Sequence, residues 1–147
     1  MMLNQTRDDT VLENDKKLFE VQANQGVLVG RFLTTPEHEN QGGSIFGGWL
    51  VAQIDRQVSM VAIARCQGRV VTKAIDQLEF IRPILSYQLV DIYARLIKQG
   101  QTSVCYQAAL FAGDRHHPSE LAIRANLTFV RINEARKPIA IKPNNRS

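Results

Sequence analysis

The spacing of apolar positions changes along the chain, and each change marks an element. Residues 26–33 carry Val27, Leu28, Val29 and Phe32, a density of β-formers that predicts a first strand. Pro36, Asn40, Gly42 and Gly43 then predict a loop over 34–43. From 46 to 65 the chain lacks proline and is apolar on nearly every side, with Trp49, Leu50, Val51, Ile54, Val58, Met60, Val61 and Ile63. A surface helix would show a polar half, yet only Gln53, Asp55, Arg56, Gln57 and Ser59 interrupt this run. It is expected to be a helix enclosed by the rest of the domain, with Ser44 as its N-cap and Gly68 as its stop.

After Gly68 the period becomes two. Residues 70–81 form a β-rich run closed by Pro83. Val90, Ile92, Ala94 and Leu96 share one face over 88–98, as do Val104, Tyr106, Ala108 and Leu110 over 103–111. Leu121, Ile123, Ala125, Leu127 and Phe129 repeat the pattern over 121–132. Short links at 84–86, 99–102 and 113–118 imply antiparallel neighbours. A strand, a long buried helix and four antiparallel strands define an α+β domain in which one curved sheet wraps one central helix. That domain is expected over 26–141, after a polar extension (1–25) and before a basic tail (142–147). The extension is read either as disordered or as a short helix over 11–22. Thr10 and Glu13 would be its capping box, and Val11, Leu12, Leu18, Phe19 and Val21 its weak apolar theme.

Composition adds exclusions. A chain of 147 residues, 44% hydrophobic and 22% charged, suits one soluble domain. No apolar run approaches the roughly 20 residues that cross a bilayer, and residues 1–17 lack a signal-peptide core, so a cytoplasmic location is expected. Cys66 and Cys105 have no metal-ligand spacing and are expected to be packed free thiols. The net charge of +4 is partly terminal, in Arg136, Lys137, Lys142 and Arg146. No aromatic platform accompanies that tail, which argues against nucleic acid, whereas a mild positive balance suits a phosphorylated small molecule.

Four motifs carry the candidate chemistry. They are Asn40-Gln41-Gly42-Gly43-Ser44-Ile45-Phe46-Gly47-Gly48-Trp49-Leu50 followed by Gln53 and Asp55, then Gly68-Arg69-Val70-Val71-Thr72, Phe80 with Pro83, and Gly100-Gln101-Thr102-Ser103. In this order and spacing they resemble the bacterial YciA-type acyl-CoA thioesterases, over about residues 30–141. The resemblance implies a hot-dog fold and a homodimer with active sites at its interface, which in many members assembles further into a trimer of dimers, a homohexamer. It implies hydrolysis of an acyl-CoA substrate to free acid and coenzyme A, with no metal and no bound cofactor, while the composition leads to the expectation of no nucleic-acid and no membrane partner.

Amides at a helix start lack helical acceptors and carry partial positive charge. Gly47 and Gly48 would let a thioester carbonyl approach those amides, or let the helix pack tightly beneath the sheet. Asn40 lies in the same helix-start motif, where the resemblance implies a catalytic site. Where the family carries Asp, or related enzymes Asn, this chain has Ser44, which is no carboxylate base and would position water or cap the helix. Asp55 lies about three turns further on, on the same helix face. The resemblance pairs it with the partner subunit's helix start; a structural acid at the dimer contact is the other reading. Gln57, Val58 and Ser59 replace the family's small residues and are expected to reshape the acyl site.

Phe46, Arg69, Val71 and Thr72 are expected to bind substrate, Arg69 through a CoA phosphate. Gly100, Thr102 and Ser103 are expected to hold the pantetheine arm, with an ordinary hairpin as the alternative. Lys73, Arg82 and Lys98 are further phosphate candidates, and nothing places His38, His116 or His117 beside Ser44. Two functions stand: an acyl-CoA thioesterase, or a non-catalytic acyl-CoA-binding or sensing protein whose site has lapsed at Ser44.

Overall fold

The computed structural model describes residues 25–142. Strands β1 (Val27–Leu33), β2 (Val70–Phe80), β3 (Leu89–Gln99), β4 (Ser103–Gly113) and β5 (Glu120–Arg131) form one antiparallel sheet in the order β1-β3-β4-β5-β2. Helix α1 (Gly47–Cys66) connects β1 to β2 and so carries the chain from one edge of the sheet to the other. Its Leu50, Ile54, Val58, Ala62 and Cys66 are buried against the alternating apolar positions of β3, β4 and β5, including Ile92, Leu110, Leu127 and Phe129. The predicted period of two is thus realised as the concave face that grips the helix.

The sheet bends to do this. In β2 the pairing with β5 shifts register between Asp76 and Glu79, where Gln77 has a φ of 49°. A bulge of this kind sharpens the twist of a strand. The enclosure is nonetheless one-sided in a single chain, because Met60 is 63% exposed and Ile63 41%. The expectation of a fully enclosed helix is corrected accordingly.

Both predicted helix ends are corrected too. Phe46, not Ser44, occupies the N-cap, and it makes no side-chain cap. The left-handed residue that ends α1 is Gln67, with φ 52°, and its N–H donates to the Ile63 carbonyl. Gly68 serves close approach instead: a Cβ there would lie 3.1 Å from Nε of Arg131. Cys66 is buried and Cys105 half-buried, both as free thiols. Burial pushes the Cys66 thiol pKa up, against the opposing pull of Arg131 and Arg65.

The turn after β4 is held by Asp114. It accepts hydrogen bonds from the Gln88 amide at 3.1 Å, from the backbone N–H groups of His116 and His117 at 2.8 Å each, and from His117 Nδ1 at 2.9 Å. Burial alone would raise its pKa, but these hydrogen bonds together outweigh it and lower the carboxyl from 3.8 to about 2. A depressed carboxylate contributes stability above its unfolded pKa and loses it as pH falls through the folded value. Asp114→Asn is therefore expected to lower Tm at pH 7 by roughly 2–4 °C for each kcal/mol lost. In thermal melts that gap should close as pH falls from 3.8 to about 2.

Candidate active site

The loop before α1 is organised by Asn40. Its Oδ1 accepts from the N–H groups of Gly42 and Ser44 at 2.8 and 3.2 Å, and its Nδ2 donates to Ser44 Oγ at 3.1 Å. The main chain is clamped on both sides, with Phe46 N–H on the His38 carbonyl and Ile45 N–H on the Ile84 carbonyl, both at 2.7 Å. This frame delivers Gly47 and Gly48 as the first two residues of the helix, whose amides have no helical acceptor. The next two amides, of Trp49 and Leu50, both return to the Phe46 carbonyl, at 3.1 and 3.3 Å.

Aromatic rings explain the two glycines sterically. A Cβ at Gly47 would lie 3.0 Å from the Phe80 ring, and one at Gly48 2.7 Å from the ring of Phe46. Tight packing and exposed amides thus coexist at one turn. A cavity of about 290 Å³ opens here, lined among others by Asn40, Ser44, Gly47, Leu50, Phe80 and Arg82. Arg82 is ion-paired with Glu120 at 2.9 Å rather than free for a phosphate. His38 stacks on Trp49 at 4.1 Å, with Phe32 edge-on to the same ring at 5.5 Å, so it belongs to the helix-start packing.

Asp55 faces β2, and its Oδ1 accepts from the Thr72 hydroxyl at 2.6 Å. Because Ser44 precedes the helix, the expected shared helix face of Ser44 and Asp55 is corrected. Asp55 lies eight residues past Gly47, about 12 Å along the axis at the helical rise. The acid and the glycine amides of one protomer are therefore too far apart to act on one thioester.

Arg69 and Val71 are exposed at the start of β2, beside Thr72. The predicted turn closes on itself: Gly100 N–H donates to the Ser103 carbonyl, and the Thr102 carbonyl accepts from Arg131 N–H, both at 2.8 Å. Ser103 pairs with Val130, which pairs with Val71, so the hairpin shares that end of the sheet. The candidate residues thus fall into two groups. Asn40, Ser44, Phe46, Gly47 and Gly48 gather at the start of α1 with Phe80. Asp55 and Thr72 face each other further along, towards the end that holds Arg69, Val71, Gly100, Thr102 and Ser103.

Two contacts escaped the sequence reading. One is Phe80 over Gly47. The other is the seating of Gln57 against β1, where a Cβ on Gly30 would lie 1.2 Å from Gln57 Oε1. A glycine inside a strand marks such close approaches, and Gly30 was the available signal.

This sheet around one helix, with its glycine-rich helix start, is the arrangement of a thioesterase. The sequence pattern of the thioesterase superfamily matches residues 42–119, and the chain belongs to that superfamily. It is 33% identical over 125 residues to the acyl-CoA thioester hydrolase YciA of Escherichia coli, covering 80% of this chain and 92% of the relative. The crystal structure of HI0827, a hexameric broad specificity acyl-coenzyme A thioesterase, superposes with a TM-score of 0.75 at 30% identity, over 82% of this chain and 84% of the other. The five-stranded antiparallel sheet around one long helix, shared with a hot-dog-fold thioesterase of Campylobacter jejuni at a TM-score of 0.73, is the hot-dog fold. The acyl-CoA hydrolase of Staphylococcus aureus, solved with butyryl coenzyme A, has a TM-score of 0.71 at 26% identity, over 76% and 69% of the two chains. That protein has also been solved as aspartate-to-alanine and threonine-to-alanine variants.

Proposed function

We propose that the protein hydrolyses acyl-CoA thioesters to a carboxylic acid and coenzyme A, as a homodimer in which each active site draws on both protomers. The observation that carries this is the separation of two half-sites along α1, flanked by an edge strand that is exposed from Val71 to Phe80. An uncovered edge offers a row of backbone donors and acceptors to another strand. Here it also offers Val71, Ile75, Leu78 and Phe80. Pairing of β2 with its own copy about a twofold axis is antiparallel, so the Val71 end of one strand lies by the Phe80 end of the other. The Gly47 and Gly48 amides then come next to the partner's Asp55 and the partner's Thr72.

In that composite site the two amides polarise the thioester carbonyl and hold the charge that develops on its oxygen. The Thr72 hydroxyl fixes one oxygen of Asp55, leaving the other to take a proton from water. The water attacks the carbonyl carbon, the C–S bond breaks, and the proton on Asp55 passes to the leaving thiolate. Two relatives support the assignment. Asp55 and Thr72 are 17 residues apart, the same separation as the aspartate and threonine replaced in the Staphylococcus aureus variants. The hexameric HI0827 supports assembly of the dimers into a trimer. The proposed reaction draws on no metal and no bound cofactor, coenzyme A entering only as part of the substrate. No described helix is long and apolar enough to cross a membrane, and a cytoplasmic location is part of the same reading.

With Asp55 as base, Ser44 is a loop residue held by Asn40, and the lack of a carboxylate at that position does not remove the chemistry. Thiol release from a panel of acyl-CoAs is expected to show turnover in the parent protein. Ser44→Asp should change the rate by less than about tenfold, well below the roughly 10²-fold that a general base contributes at the least. Tight binding with no turnover in the parent, and activity gained only in Ser44→Asp, would overturn the enzyme in favour of an acyl-CoA sensor.

A further inference from the structure

Two cavities meet at one ion pair. The first is the cavity at the helix start, about 290 Å³, with the buried Ile45, Leu50 and Ile84 as its floor. The second, about 250 Å³, shares Arg82 and Pro83 with it. Its remaining walls are largely apolar, in Leu85, Ala112, Pro118 and Ala122. Its Gln88 and His117 are already engaged by Asp114, at 3.1 and 2.9 Å. The backbone of the ridge between the cavities is pinned on both sides. The N–H groups of Ile81 and Arg82 donate to the Ala122 carbonyl at 2.7 and 3.2 Å, and the Ile84 carbonyl accepts from Ile45 N–H at 2.7 Å. On that ridge stands the Arg82 guanidinium, with Nη1 2.9 Å from Oε2 of Glu120. Glu120 lines only the second of the two cavities.

We propose that the Arg82–Glu120 pair sets the length of acyl group the site accepts, by closing the first cavity against the second. The proposal rests on the composite site described above. There the Val71 end of the partner's β2 lies beside Phe80, so the coenzyme arm leaves toward the partner. A carbonyl held at the Gly47 amide then turns its acyl group into this chain's own cavity, where Gly47 and the apolar floor lie together. A methylene is close in size to a water, which takes up roughly 30 Å³ in the liquid, so about 290 Å³ holds on the order of ten carbons. A longer chain must cross the pair. The two side chains are 56% and 45% exposed, so both charges are hydrated. An apolar chain laid across them strips that water without replacing its hydrogen bonds. The barrier is this desolvation, since a pair so exposed is itself weak. With both charges removed, the second cavity nearly doubles the space. Each further methylene then gains roughly fourfold in binding, at about 0.8 kcal/mol apiece.

Thiol release by the full chain tests this, as the ratio of kcat/KM for tetradecanoyl-CoA to that for octanoyl-CoA. In the parent the ratio is expected to lie below one. In the double variant Arg82→Ala, Glu120→Ala it should rise at least about tenfold, the gain of fewer than two methylenes. Arg82→Lys keeps a paired cation and should leave the ratio near the parent value. A purely structural role would alter both substrates alike and leave the ratio unmoved. If a thermal melt shows the double variant to be unfolded, Arg82→Gln, Glu120→Gln is read by the same criterion. A ratio above one in the parent, a ratio unmoved in the uncharged variant, or an equal shift in Arg82→Lys would each overturn the proposal while the reaction stands. If neither substrate is hydrolysed, the reaction fails instead, and the same ratio is taken from calorimetric affinities for the two acyl-CoAs. A shift in those affinities would sustain the role of the pair, and no shift or no binding would overturn it.

Discussion

Acyl-CoA hydrolysis by Asp55→Asn protein is expected to fall roughly 10²- to 10⁴-fold in kcat, the contribution of a positioned general base. Asparagine keeps the shape of the side chain and still accepts the Thr72 hydroxyl that now lies 2.6 Å from Asp55. What it loses is the ability to take a proton from water. KM should therefore move little, because the interaction removed belongs to the transition state. Steady-state thiol release decides the matter, with a thermal melt to verify folding. A loss below tenfold would show that Asp55 is only a structural acid at the contact, the alternative that its place on an apolar helix left open.

A comparable loss is expected from a residue that touches no reacting atom. Ile75 lies near the middle of β2 and is 36% exposed in the protomer. A twofold axis through that strand sets it close to its own copy. Ile75→Lys would oppose two like charges across the new strand pair, which is destabilising, while the protomer keeps its core. Sedimentation is expected to show monomers, and hydrolysis should drop at least about 100-fold, the scale on which losing the oxyanion amides is felt. Asp55, Thr72, Gly47 and Gly48 all remain in each chain. A monomer that retained full turnover would refute the composite site.

Much of the fold was legible because its signals are local. The switch from a continuous apolar run to alternation located α1 and the strands to within a few residues. The ends of α1 were less legible. Ser44 has the composition of an N-cap, but Asn40 is placed to take its amide and its hydroxyl, and the helix starts three residues later. Gly68 looked like a left-handed stop because glycine tolerates that turn best, whereas Gln67 adopts it and Gly68 makes room for Arg131. The site residues were named from motif order, and motif order says nothing of distance. That Asp55 meets Thr72, and that both lie apart from Gly47, required the curl of β2 against the helix.

The strand order has a consequence for the life of the chain before any substrate arrives. β2 is made early, yet among the described strands its only ladder partner is β5, the last of them in sequence. β1 waits as well, for β3, with Arg31 and Asp91 separated by 60 residues. Only the β3–β4 and β4–β5 hairpins can form from neighbouring sequence, and closing distant pairs slows folding. A nascent chain released or stalled before Arg131 would therefore carry β2 with both edges bare, the kind of species that aggregates and engages chaperones. The strand that is suited to join two finished protomers is also the one most exposed to premature association on the ribosome.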